Sequence, residues 1–260
     1  MEIIDSHCHI YPEKIAKKAV NAIGEFYGID MERNGTANEL NELIIKNGVS
    51  KAVIHSTATK PEQVPSINDF IIDTVNSYEN FIGYGTMHAY YNNLEDEYKK
   101  IKQGGLKGIK IHPDFQRINI DDKAMDTIYE LVSDEMPILF HIGDKTKDFS
   151  NPERLLKVLK RFPKLKPIAA HMGGYQKWNE SAELFKGMDV WFDTCSSFEY
   201  LSDETIINII NTQGIEKILF ATDYPMWNFD NEYKRLTSLG LNDDSLEKIL
   251  SGNIKKLLKI

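Results

Sequence analysis

Short apolar runs rich in β-branched residues recur along the whole chain. They are EIIDSH (2–7), KAVIHS (51–56), FIGYGTMH (81–88), LKGIKIH (106–112), PILFHI (137–142), KPIAAH (166–171), DVWFDT (189–194) and KILFAT (217–222). Most have the length of strands buried on both faces, as in a parallel sheet. Between them the apolar positions change to helical spacing. In PEKIAKKAVNAIGEFYG, Ile15, Ala19, Ala22, Ile23 and Phe26 fall on one stripe. Pro12, Asn151–Pro152 and Ser202–Asp203 mark helix starts, and Gly48 and Gly214 mark helix ends. Strand then helix, repeated eight times, predicts an α/β protein with an all-parallel sheet. Eight units within 260 residues favour closure into a (β/α)8 TIM barrel over an open sheet. No linker or low-complexity tract divides the chain, so a single domain over 1–260 is expected. The least regular part, Tyr27–Asn47, holds an extra helix (ANELNELIIKNG) behind a polar lead-in. An insertion there, after the first strand, is expected to lie over the barrel mouth.

Composition narrows the partners. The formal net charge is -8 and no basic stripe is present, which argues against nucleic acid and against an anionic membrane surface. The Lys-rich stretch Lys255–Lys259 alternates with Leu and Ile, as on the solvated face of a last helix. No apolar segment is long enough to span a bilayer. Met1 runs almost directly into EIIDSHCH without a basic region or cleavage site, so no signal peptide is expected. Cys8 and Cys195 form no CxxC and read as reduced, buried thiols of a cytoplasmic protein. The expected partner is a small-molecule substrate, with a homodimer left open.

The histidines carry the chemical signal. His7, His55, His88, His112, His141 and His171 each end one of the apolar runs, and His9 follows the first by two residues. In a parallel barrel that end of the strands builds the active site. For His55 and His88 the plainer reading, a mouth histidine satisfying a hydrogen bond, is preferred. In Asp5-Ser6-His7-Cys8-His9, alternation along a strand puts positions 5, 7 and 9 on one face. Two imidazoles so spaced can reach one cation. Asp223, after the eighth run, is expected to point at the barrel axis, since Pro225 and the polar stretch to Asp230 move the next helix start further on. Asp5, His7, His9, His141, His171 and Asp223 are therefore expected around one metal centre. Lys110 and His112 are two apart in the fourth run and can both face inward. Lys110 either holds a substrate oxyanion, becomes carbamylated between two metals, or pairs with Asp5 or another inner acid.

Taken together, DSHCH, GIKIHP, FHIGD, AAHMGG, ATDYPMW and GNIKKLL, in this order, resemble the amidohydrolase superfamily. The likeness is to its amidohydrolase-related branch, which holds aminocarboxymuconate semialdehyde decarboxylase and various lactone and amide hydrolases. The resemblance implies that His7, His9, His141 and Asp223 bind a divalent metal, usually zinc, as one ion or two. It implies that His171 is the catalytic histidine of one-metal members or a ligand of a second metal. GIKIHP is similar to the lysine segment that is carbamylated in dihydroorotase-like relatives. Asn253 in GNIKKLL matches a terminal motif read as a helix cap.

Two activities follow. The first is hydrolysis of a small amide, lactone or ester by a metal-activated water, with Asp223 moving the proton and His171 stabilising the oxyanion. The alternative is metal-dependent nonoxidative decarboxylation of a small carboxylic acid, which needs a clamp for the carboxylate. Of five arginines, Arg117, after the fourth run, is the one expected to reach the mouth. Trp178, Trp227 and Phe198 follow runs six to eight and fit either a flat substrate or packing among the loops. A non-enzymatic scaffold is the third reading, and the intact ligand set argues against it.

Overall fold

A computed structural model describes residues 1–31 and 33–260; Glu32, within the irregular segment, lies outside the described residues. Eight parallel strands follow one another in sequence order: β1 (Ile4–His9), β2 (Lys51–His55), β3 (Phe81–Thr86), β4 (Gly108–Ile111), β5 (Pro137–Phe140), β6 (Lys166–Ala169), β7 (Trp191–Asp193) and β8 (Ile218–Leu219). Helices connect them on the outside, so the architecture is the expected (β/α)8 barrel. The strands are shorter than the apolar runs. His112, His141 and His171 lie just beyond the ladder, where the backbone is free to turn into the mouth.

Alternation divides each strand between two cores. Ile3, Ala52, Ile54, Ile109, Ile111, Ile138, Phe140 and Phe192 belong to the large cluster under the helices. Ile4, Val53, Tyr84, Leu139, Ile168, Trp191 and Leu219 fill the barrel, joined by Ile254, Leu257 and Leu258 of the C-terminal helix. Burial on both faces is why the strands read as continuous apolar runs.

The barrel closes at a seam between β1 and the segment after β8. Ser6 N donates to Phe220 O at 2.9 Å and His9 N to Tyr224 O at 2.6 Å. Between them the Asp5 carboxylate takes the place of a ladder: it accepts from Thr222 N at 3.0 Å, Thr222 Oγ1 at 2.6 Å and His7 N at 3.2 Å. Asp5 is thus not at the metal centre, contrary to the alternation argument. Asp5 pairs with Ala52 and Cys8 with Ile54, so β1 spends three residues where β2 spends two. The extra residue reverses the parity: Asp5 and Cys8 lie outside the barrel, His7 and His9 inside.

Two further corrections concern helices. α1 (Glu13–Tyr27) and the residues after it cover the mouth, with Ile23, Tyr27, Ile29 and Met31 lining the cavity there. The start of the expected insertion, Tyr27–Asn47, thus does lie over the mouth, but its helix α2 (Ala37–Lys46) instead buries Leu40 and Ile44 in the outer core. Both helices are amphipathic, so patterning does not tell which one is the wall. Asn253 is not the N-cap of the C-terminal helix but its first residue, and its Nδ2 donates to Ile215 O and Ile218 O, each at 2.8 Å. No helix among the described residues is long and apolar enough to cross a membrane.

If Asp5 closes the seam, Asp5→Ala leaves Thr222 N and His7 N buried without acceptors. The expected loss is about 2–3 kcal/mol, from the ~1–3 kcal/mol typical of an orphaned buried group. Urea unfolding checks it; an unchanged midpoint would mean that the seam does not depend on this carboxylate.

Candidate metal centre

Above the apolar layer of the barrel sits a polar one. Alternation places His7, His9, His55, Lys110, His141 and Asp193 at inward positions within two residues of the C-terminal ends of their strands. The segment after β8 adds Asp223. His7 Nε2 and His9 Nε2 are 3.2 Å apart, and Asp223 Oδ1 lies 3.3 Å from the first and 3.4 Å from the second. Asp223 Oδ2 accepts from Ser196 Oγ at 2.6 Å, and Ser196 Oγ accepts from Trp227 Nε1 at 2.7 Å. The carboxylate is thereby aimed at the two imidazoles. It does not cap the next helix, which begins at Phe229 with Asn228 as its cap.

His7 is oriented from behind. Its Nδ1 donates to Asp193 Oδ2 at 2.8 Å, both groups being fully buried. That bond fixes the proton on Nδ1 and leaves the Nε2 lone pair facing the centre, the arrangement that a metal-ligating histidine needs. Asp193 was not singled out from the sequence, although DVWFDT ends in an inward acid by the same period of two. Lys110 Nζ is 3.1 Å from His7 Nε2, so its inner partner is this imidazole, not Asp5.

His171 and His141 form a second line. His171 Nε2 is 2.9 Å from His141 Nδ1, and His141 Nε2 donates to Gly143 O at 2.9 Å. Gly143 has φ 83, and a Cβ there would meet the Tyr175 backbone, so the acceptor can be placed there only by glycine. His171 Nδ1 stands 3.2 Å from Cys195 Sγ and 4.0 Å from Asp223 Oδ2. With its proton held on Nε2, His141 turns its Nδ1 lone pair into the cavity that His171 and Asp223 also line. His112 stacks on His141 at 3.9 Å; its Nδ1 accepts from Phe115 N and its Nε2 meets Tyr27 Oη at 3.2 Å. With Asp114 and His141 it forms a second trio of ligating atoms, all within 4.8 Å of one another. Arg117 is exposed and does not line the cavity. It sits at the left-handed C-cap of the short helix Pro113–Gln116, whose buried side presents Asp114 and Gln116 instead. Trp178 packs on Tyr200 and Phe198 is in the core, so of these three only Trp227 lines the cavity.

His171, Ser196 and Asp223 all have positive φ, at 64, 51 and 59. Backbone held in that region at three facing loops is strain of the kind functional sites store. Electrostatics favour ligand-ready protonation. Burial pushes His7 and His9 down, with Lys110 adding to it, and brings His171 to about 4. Burial alone would raise the Asp223 carboxyl, but the neighbouring imidazoles of His7, His9 and His171 hold it well below the usual range. Neutral imidazoles around an ionised carboxylate form a donor set that fits a divalent cation.

The amidohydrolase family model matches residues 85–260. The chain belongs to the amidohydrolase family. Solved structures resemble it over its full length. An uncharacterized TIM-barrel protein from Bordetella bronchiseptica is 18% identical with a TM-score of 0.82, the match covering 100% of this chain and 99% of that one. A dihydroxybenzoic acid decarboxylase from Polaromonas, with bound manganese and the inhibitor 2-nitroresorcinol, is 16% identical with a TM-score of 0.74 over 99% and 97%. A probable 2-pyrone-4,6-dicarboxylic acid hydrolase from Acinetobacter baumannii is 13% identical with a TM-score of 0.73 over 100% of both chains. At such identities the likeness is one of fold. A comparison with curated proteins finds no match.

Burial lowers all seven histidines. The unfolded chain therefore binds more protons than the native one below about 6.5, and stability falls as pH drops toward 4. Asp5 and Asp114, raised to about 6, and Glu232, also raised, act in the opposite sense, but they are three groups against seven. The urea midpoint of chelator-treated protein is expected to fall between pH 7 and pH 5; a midpoint that rises would reverse the balance.

Proposed function

We propose that this amidohydrolase is a metal-dependent decarboxylase of a small aromatic carboxylic acid. One observation carries the reading: the donor set is the floor of a cavity with aromatic and apolar walls. Tyr27, Phe115, Tyr175, Met226 and Trp227 are among its walls. Lys110 is the one Lys or Arg among its described lining residues. A flat ring suits such walls, and a carboxylate suits a floor that joins Lys110 to a cation site. The decarboxylase among the similar structures supports the same reading.

His7, His9, His141 and Asp223 would hold the cation. Imidazole donors suit zinc, and manganese is the ion bound in the Polaromonas neighbour. When bound, a divalent cation supplies positive charge to offset the negative charge that develops on substrate oxygen. The chain's own groups do the rest. Lys110 binds the carboxylate and orients the ring. As CO2 leaves, the electron pair of the broken bond stays on the ring carbon, which must take a proton. Asp223, ionised and steadied by Ser196, can take a proton from a substrate hydroxyl and deliver it to that carbon. His171, neutral at pH 7, flanks Asp223 and is the second group able to hold a proton there. The apolar walls exclude water, which keeps the proton on this route.

Hydrolysis of a small amide, lactone or ester is the second reading. The family and the Acinetobacter neighbour favour it. In that case Asp223 takes its proton from water and passes it to the leaving group.

Turnover in isotope-labelled water with hydroxybenzoates, lactones and amides separates the two. Decarboxylation releases CO2 and leaves no solvent oxygen in the product; labelled product without CO2 would overturn it. Under either reading Asp223→Asn is expected to lower turnover by ~10²- to 10⁴-fold. Metal content is measured beside the rate, and a metal-loaded variant with near-normal turnover would remove Asp223 from the proton path.

A further inference from the structure

The cavity walls carry several side-chain protons, and the protein itself takes up most of them. Trp227 Nε1 donates to Ser196 Oγ at 2.7 Å, and Ser196 Oγ donates to Asp223 Oδ2 at 2.6 Å. Tyr175 Oη donates to Tyr200 Oη at 3.4 Å, on the exposed rim. The state of His112 follows from its backbone neighbour. Phe115 N donates to His112 Nδ1, so that nitrogen carries the lone pair and Nε2 carries the proton. Nε2 stands 3.2 Å from Tyr27 Oη and donates to it. The imidazole is held for this task, stacked between Phe115 at 3.7 Å and His141 at 3.9 Å.

Tyr27 is the last residue of α1, the helix over the mouth. Its oxygen accepts from His112, so its own proton is left to give. No protein acceptor for that proton is found among the described residues, and the side chain lines the same cavity as Lys110 and Asp223. The Tyr27 hydroxyl is thus the uncommitted side-chain donor of the walls, above a floor that takes the carboxylate. We propose that Tyr27 is a substrate-binding residue whose hydroxyl donates to an oxygen on the aromatic ring, at a position away from the reacting carboxylate. That oxygen is a neutral one, hydroxyl or methoxy. A second carboxylate there would be buried against apolar walls with no cation beside it, since Lys110 is the one Lys or Arg of the described lining. The proposal rests on the reading that the cavity takes a small aromatic carboxylic acid.

The test compares the affinity of Mn²⁺-loaded protein for 2-hydroxybenzoate with that for its 3-, 4- and 5-hydroxy relatives, by titration calorimetry. Wild type is expected to bind one of the three relatives more tightly than 2-hydroxybenzoate, by roughly 2- to 10-fold, the usual worth of one neutral hydrogen bond. In Tyr27→Phe, which keeps the ring and loses the donor, that ratio is expected to fall to about 1. A loosened α1 would weaken all four ligands together and leave the ratio as it is. A ratio that survives in Tyr27→Phe, or a wild type without preference, overturns the proposal. If 2-hydroxybenzoate binds wild type while the ratio ignores Tyr27, the aromatic-acid reading stands and the assignment of Tyr27 falls. If none of the four binds, both fall. Circular dichroism establishes folding of the variant. Should it not fold, wild type alone decides. Methoxy in place of the preferred hydroxyl keeps the acceptor and is expected to retain the preference, and methyl is expected to lose it. Methoxy that binds no better than methyl overturns the proposal.

Discussion

From Asp5 to Cys8 the first strand advances three residues while its neighbour advances two. The rest of the site depends on that one-residue mismatch. A regular strand would carry Asp5, His7 and His9 on the same face, and the carboxylate would be buried among imidazoles with no bond to the seam. With the extra residue, the strand splits its polar groups between two tasks. Asp5 turns outward and ties β1 to Thr222, and His7 and His9 turn inward. Because the segment beginning at Thr222 also carries Asp223, the seam that closes the barrel is the same feature that brings the carboxylate to the two histidines.

Around that centre each group is held by a partner that fixes its state. Asp193 sets the proton on His7, Ser196 and Trp227 aim Asp223, and Gly143 anchors the pair His141–His171. Such partners come from β7, from the loops after β5, β7 and β8, and from the positive-φ turns at Ser196, His171 and Asp223. Neutral imidazoles are costly to protonate in this setting, because burial opposes their charge. The same burial that destabilises the chain in acid keeps the lone pairs free near neutral pH.

Much of this was legible in the sequence, and the reasons are physical. Strands buried on both faces must be apolar throughout, so all eight runs stand out, and polar residues at their ends are conspicuous. His7, His9 and Asp223 were found that way, and the structure brings them together. Lys110 was placed inside correctly, but its partner is His7. What stayed hidden depends on contacts between distant segments. Nothing in DSHCH marks an extra residue, since no Gly or Pro interrupts it. The choice of α1 over α2 as the cover of the mouth is made by tertiary packing, because both are amphipathic. Arg117 sits in the right loop, but its side chain is exposed, a fact set by a left-handed cap rather than by composition. His55 was read as a mouth histidine satisfying a hydrogen bond, yet its nitrogens have no such partner.

The claim that β1 and the segment after β8 together build a cation site is tested most directly by anomalous diffraction from crystals grown with Mn²⁺. The account predicts one strong peak within about 2.0–2.3 Å of His7 Nε2, His9 Nε2 and an Asp223 oxygen, the usual range for such ligands. A peak placed instead among His112, Asp114 and His141, with His7 Nε2 and His9 Nε2 still facing each other across 3.2 Å, would contradict it.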